Sequence, residues 1–282
     1  TDVVHQQPTT DGAAGDGDLE RGHQQATGAF GLVWVVLWLF FYRSPERHPS
    51  MTDEERALIA TGQEAHLTAT GAKPSIISIL KQGQFWGIAL PRFLADPTWG
   101  TLSFWVPLYL SQTRGFDLKQ IALFAWMPFV AADLGCLAGP VIAHFLQKRG
   151  VSLINARRIA FTLGAVLMTG MVFVGKVESA YAAIALLCLG GFAHQTLSVT
   201  VITMASDLFR RDEVATVAGL AGMMGNLGLL LFSLLIGGLV TTIGYDPFFV
   251  ALGVLDIAGA VLLWTLVKDR AAPNGTSETV KA

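Results

Sequence analysis

The polar residues that interrupt long apolar runs are where this chain could do chemistry. In RFLADPTWGTLSFWVPLYL, Arg92, Asp96, Trp99 and Ser103 follow i, i+4, i+7, i+11 and so share one helix face. A cation, a carboxylate, an indole and a hydroxyl in one stripe can line a water-filled cavity. The same spacing also serves an internal Arg92–Asp96 ion pair, with Arg92 snorkelling toward an interface. Asp133 lies near the middle of AWMPFVAADLGCLAGPV, beside the small-residue surface Gly135-x-x-x-Gly139. Too deep to snorkel, it must face protein or water, as a hydrogen-bond partner of another helix or as a group that takes a proton or contacts a ligand. In GFAHQTLSVTVITMASDLF, His194, Gln195 and Ser198 are central, and Thr196, Thr200, Thr203 and Asp207 form a second polar row that asks for a wet lining. Hydroxyls and amides donate and accept hydrogen bonds alike, which suits a polyhydroxylated ligand. His194 equally suits a helix–helix hydrogen bond. Asp207, beside Arg210 and Arg211, reads as a cap or gate pair. Asn226 is the lone amide on a smooth face with Ala215, Gly219, Gly222, Ser233 and Gly237; ligand contact and static packing both fit it.

Such groups need elements that hold them inside an apolar medium. The 282 residues are 52% hydrophobic and 14% charged, with a mean hydropathy of +0.51, too apolar for a chain whose main solvent is water. Crossing a bilayer takes about 20 apolar residues per helix. Six spans are expected near Gln84–Leu110, Leu118–Phe145, Ala156–Gly175, Ala180–Leu208, Ala215–Ile243 and Pro247–Val267. A Trp-rich apolar helix over 27–42 precedes them. A charged linker, 43–83, separates the two, and Thr52-Asp-Glu-Glu55 within it resembles a capping box. Residues 1–26, rich in Asp, Gly, Gln and Thr, have no periodicity that could bury a face and predict a disordered or non-native leader. Basic residues alternate between loops: Arg43, Arg47, Arg56, Lys73 and Lys81 in the linker, Lys148, Arg149, Arg157 and Arg158 in the second short loop, Arg210 and Arg211 in the fourth. The intervening loops are poor in them. The positive-inside rule then makes the linker, these loops and the tail 271–282 cytoplasmic, with 84–270 a six-helix domain.

Several functions are disfavoured. A formal charge of −2 gives no general attraction to nucleic acid. Cys136 and Cys188 each sit in an apolar run, without metal-knuckle or disulfide spacing. No GxSxG, HExxH, paired CxxC or P-loop is present, so no catalytic residue, metal or cofactor is expected. An intramembrane hydrolase is a formal alternative with no nucleophile in an activating context.

At RFLADPTWGTLSFWVPLYL, RGFDLKQIALFAWMPFVAADLGCLAGP and VSLINARRIAFTLGA the chain resembles the major facilitator superfamily, in particular the hexuronate transporters of its anion:cation symporter branch. The likeness extends over residues 28–270, and YRSPERHP looks like the connector after the sixth helix of that family. GPVIAHFLQKRG is similar to the second signature loop, with His144 where an acidic residue is usual. What the resemblance implies is an all-α integral membrane protein of the major facilitator fold: the sixth helix plus the carboxy-terminal six-helix bundle, multi-pass in the inner (plasma) membrane. It implies uptake of glucuronate- or galacturonate-like sugar acids with protons, by alternating access, and no enzyme activity. His194, Gln195 and Ser198 match the central contact residues of the family's tenth helix, Asn226 those of the eleventh, and Trp99 and Trp105 those of the seventh. Arg92, Asp96, Asp133 and Asp207 are the proton or gating candidates. Helices one to five of the family have no counterpart, so a truncated half that works with the missing amino-terminal half is expected. The alternative is an inactive fragment or a non-transporting membrane interaction protein.

Overall fold

The structure, a computed structural model, describes residues 28–29, 31–43, 50–55, 57 and 75–269. The expected leader 1–26, the tail 271–282 and most of the linker lie outside the described residues. The chain divides into two units, Thr1–Glu64 and Ala65–Ala282. In the first, α1 (Gly31–Phe41) is apolar on every side. Trp38 stacks on Tyr42 with ring centroids 4.3 Å apart. The capping box forms: Thr52 N–H donates to Glu55 Oε2 at 3.0 Å, and Glu55 N–H donates to Thr52 Oγ1 at 3.2 Å.

The second unit begins with α2 (Ile76–Leu80). The first expected span is divided into α3 (Gly83–Ala95), α4 (Pro97–Gly100), a π-helical segment Thr101–Trp105 and α5 (Val106–Arg114). Pro97 explains the first break, because it has no N–H to give the Phe93 carbonyl one turn back. α5 stops at Gly115, whose φ of 68° suits a residue without Cβ. Then come α6 (Leu118–Phe124) and α7 (Met127–Lys148), which together form one span. An Asp117–Gln120 capping box opens α6, with bonds of 2.7 and 3.0 Å. α8 (Leu153–Met168) runs into a 3₁₀ segment, Thr169–Phe173. α9 (Ala180–Leu208) has the expected bounds, set by Ser179 at its N-cap. α10 (Arg211–Ile243) starts a turn before the expected Ala215, because Arg210 N–H donates to Glu213 Oε2 at 3.2 Å and Asp212 and Glu213 fill the first turn. α11 is Asp246–Leu266. Among the described residues five helices are long and apolar enough to cross a membrane, and the divided first span is not one of them.

Lipid offers helices no hydrophobic reason to associate, so close packing must do it. A Cβ at Gly135 would lie 2.2 Å from the Phe192 carbonyl oxygen, one at Gly139 2.7 Å from that of Thr196, and one at Gly191 of α9 2.3 Å from that of Pro128. The expected small-residue surface is therefore the seam between α7 and α9. α3 packs along both α10 and α11, and α8 along α9 and α11. Two apolar clusters fill the bundle. One holds Ala95 of α3, Leu197 of α9, Ala221 of α10 and Ala260 of α11. The other holds Leu102 of the π segment, Ala193 of α9, Phe232 of α10 and Leu252 of α11. These four helical stretches cross between the clusters at a polar segment: Asp96 to Trp99, His194 and Gln195, Asn226, and Asp256. The polar residues thus form a layer across the middle of the bundle.

Candidate functional site

A cavity of about 260 Å³ opens in that layer, lined by Arg92, Asp96, Trp99, His194, Gln195, Ser198, Asn226 and Leu229. α3 and α4 supply its charged wall. Arg92 Nη2 donates to Asp96 Oδ2 at 3.1 Å, with both side chains about one-seventh exposed, while Arg92 Nε is buried without a hydrogen-bond partner. One guanidinium face is therefore committed and another edge is not. α10 comes close here for a steric reason. A Cβ at Gly225 would lie 1.9 Å from Asp96 Oδ2, and one at Gly228 2.0 Å from the Phe93 carbonyl oxygen, the same carbonyl that Pro97 leaves without a helical donor.

α9 supplies the opposite wall. Trp99 lies over His194 with ring centroids 6.1 Å apart and planes 23° apart, and meets Phe129 edge-on at 5.4 Å. His194 is buried, and its Nδ1 has no hydrogen-bond partner among the described residues. Gln195 Nε2 contacts Cys136 Sγ at 3.3 Å, a weak acceptor that an arriving oxygen can displace. Asn226 Nδ2 donates to the Gly222 carbonyl at 2.9 Å and leaves its own carbonyl oxygen for the cavity. The wall thus offers amides, a hydroxyl and an imidazole around one guanidinium, with an indole as a flat surface. Such a set has the chemistry to hold a small, hydroxyl-rich anion: Arg can take a carboxylate in two parallel bonds, and the amides and hydroxyl can serve alcohols.

Of the residues singled out from the sequence, Arg92, Asp96, Trp99, His194, Gln195, Ser198 and Asn226 meet at this cavity. Others do not. Ser103 leaves the Arg92–Asp96–Trp99 stripe because the π segment carries more residues per turn than the i+4, i+7, i+11 spacing assumes. Trp105 turns to α10, where its indole N–H donates to Ser233 Oγ at 2.9 Å. Asp133 is exposed on α7 among exposed Val130, Leu134 and Leu137, with no hydrogen bond to a described residue. The Thr row of α9 does not form a wet lining either. Thr196, Thr200 and Thr203 donate to carbonyls of their own helix at 2.8, 2.7 and 2.9 Å, a local bond that satisfies a hydroxyl in an apolar setting. Asp207 pairs with Arg157 of α8 at 2.9 Å rather than with Arg210, which bonds Asp212 at 2.8 Å. Two residues that matter had no expectation attached. Leu229 lines the cavity, and Asp256 is a lone carboxylate in the middle of VALGVLDIAGAVLLW.

Residues 151–282 match the Major Facilitator Superfamily. The chain is 49% identical over 255 residues to the hexuronate transporter of Escherichia coli strain K12, covering 90% of this chain and 59% of that protein. It is 50% identical over 161 residues to the galacturonate transporter of Dickeya chrysanthemi, covering 56% of this chain and 47% of that protein. A more distant relative, a probable galactarate/D-glucarate transporter of E. coli strain K12, is 27% identical over 227 residues, 76% of this chain and 50% of that protein. The chain thus spans 59% or less of the length of these relatives.

Proposed function

Because the chain belongs to the major facilitator superfamily and is a multi-pass membrane protein, we propose that it forms the carboxy-terminal part of a proton-coupled transporter of hexuronates. What carries the reading is the cavity in the bundle's middle layer, where one guanidinium stands among amides, a hydroxyl and an imidazole. A hexuronate has one carboxylate and several adjacent hydroxyls, the pattern that this donor set complements. Arg92 is shared in time between Asp96 and the sugar acid: the ligand's carboxylate takes the guanidinium, and a proton neutralises the carboxyl it displaces. Trp99 gives the sugar ring an apolar face to lie on. The Arg157–Asp207 pair and the Asn155–Asp269 contact of 3.0 Å tie α8 to the ends of α9 and α11 at the end of the bundle where the basic loops lie. By the charge rule that end is cytoplasmic, in the inner membrane. A partner for this half of the cavity is the amino-terminal set of helices that the relatives carry.

The test is uptake of labelled glucuronate and galacturonate by cells making this chain alone, beside cells making it together with the amino-terminal helices of the E. coli relative. Uptake in either, saturable and abolished by a protonophore, supports the reading. Silence in both, with membrane insertion verified, supports a non-transporting membrane protein instead. In the active preparation, Asn226→Ala is expected to raise KM about five- to tenfold, the loss of about one net hydrogen bond, with unchanged insertion. Unchanged uptake kinetics would remove Asn226 from the site.

A further inference from the structure

We propose that Asp256 is a proton-binding carboxyl coupled to Asp96, so that the pair holds the proton that balances the cavity's charge when an anion is loaded. The inference rests on the transport reading and adds a residue behind the cavity wall rather than in its lining.

Asp256 is 1% exposed, and neither carboxylate oxygen has a hydrogen-bond partner among the described residues. It lies in the bundle's middle layer, flanked by two glycines that draw α11 against its neighbours. A Cβ at Gly253 would come 2.7 Å from Val172 Cγ2, and one at Gly259 3.5 Å from the Pro91 Cα. An ionised carboxylate there has neither water nor a donor to replace it, and buried charges persist in proteins only when paired or functional. α3 runs antiparallel to α11, with Gly87 against Val267 and Pro91 against Gly259, and this register brings Asp96 to the level of Asp256.

The other charged groups on the surrounding helices are engaged elsewhere. Arg92 of α3 is held by Asp96. On α8, Arg157 pairs with Asp207, and Arg158 bonds Asn155 and lies 5.1 Å from the Trp264 ring, two turns of α11 away from Asp256. The segment Thr169–Phe173 carries no titratable side chain, and α11 has only Asp246, at its far end. On α9, His194 lines the cavity with Arg92 and lies against the Trp99 ring. Asp212 and Glu213 of α10 belong to its first turn.

The layer therefore holds one guanidinium and two carboxyls. A hexuronate adds a third carboxylate, and one guanidinium can pair with one carboxylate face at a time. Loading the anion becomes possible when the Asp96–Asp256 pair, which holds one proton in the empty cavity, takes a second from water, so that both carboxyls are acids while the anion is bound. Returning that proton to water on the other side, after the anion has left, restores the starting charge. Asp96 faces the cavity and is the entry point; Asp256 is the store behind it.

The experiment is an infrared pH titration of the purified full chain in nanodiscs, with Asp256→Asn and Asp96→Asn. A carboxylic-acid C=O band should be lost on alkalinisation in the wild type, be absent in Asp256→Asn, and change its midpoint in Asp96→Asn. Spectra of Asp256→Asn identical with the wild type would overturn the proposal. Asp256→Glu, which keeps a titrating group, should restore a band, and this separates loss of the proton from loss of the fold. In transporting cells, Asp256→Asn should keep substrate exchange within about twofold while losing about tenfold of proton-driven accumulation. Accumulation equal to wild type would also overturn it. If wild-type chain shows the band but no preparation carries hexuronate, the transport reading fails and the proton site stands.

Discussion

Arg92→Ala is expected to abolish the proposed hexuronate uptake, with kcat/KM falling about a hundredfold or more, the scale expected when one partner of a buried, hydrogen-bonded charge pair is truncated. Two separate losses produce the effect. The ligand's carboxylate loses the one Arg or Lys among the described residues that line the cavity. Asp96, 3.1 Å from the guanidinium in the resting pair, is left as an uncompensated charge in the middle of the bundle. The double variant Arg92→Ala/Asp96→Asn tells the two apart, because it removes the stranded charge without restoring the anion's partner. Its thermal unfolding should return to that of the wild type while uptake stays absent. Arg92→Lys should recover only part of the activity, since an ammonium cannot make the two parallel bonds of a guanidinium. Wild-type kinetics in Arg92→Ala, measured as labelled glucuronate uptake, would reduce the Arg92–Asp96 pair to a structural contact.

Gly135→Leu is expected to cost about 3 kcal/mol of stability, at the upper end of what overpacking costs, and to lower the yield of monodisperse protein in detergent. At Gly135 the groups that would meet a side chain are the Phe192 carbonyl oxygen and carbon, at 2.2 and 3.0 Å, and main chain cannot rotate away. The contact is reciprocal, because Gly191 of α9 sits against the Pro128 carbonyl of α7. A leucine must therefore separate two helices along their whole crossing. Gly238→Leu is the matched control: nothing lies within 4 Å of its Cβ position. Equal unfolding temperatures for the two variants would mean that α7 and α9 are not held by this seam.

Much of this arrangement can be read from the chain because its causes are local. Polar residues in the middle of apolar helices have few places to go, and so His194, Gln195, Ser198 and Asn226 are recognisable before any packing is known. Ser179 and Gly115 mark helix ends by their own chemistry. Where the cause is distant, the reading stops. Asp207 finds its cation in Arg157, 50 positions away, although Arg210 stands three residues from it. Hydroxyls such as Thr196, Thr200 and Thr203 look like lining because spacing cannot say whether they serve a ligand or their own backbone. Asp256 was visible as a charge in an apolar run, but it has no polar companion at helical spacing, and stripes are what periodicity detects. Its companions are on other helices.

The wide turn at Thr101–Trp105 also acts as a phase slip in the helix that bears Arg92. Below it, side chains face the cavity; above it, they face the end of the Thr169–Phe173 segment, where Arg114 Nε donates to the Tyr109 hydroxyl at 2.7 Å and Arg114 Nη2 donates to the Val174 carbonyl at 2.8 Å. The turn holds one residue more than an α-helical turn, so a one-residue deletion inside it is absorbed with the far half kept close to register. The same deletion in the regular helix on either side rotates everything beyond it by about 100° relative to the cavity. A one-residue gap beside the turn is thus a lesion of timing between cavity and anchor, and a gap inside it is not.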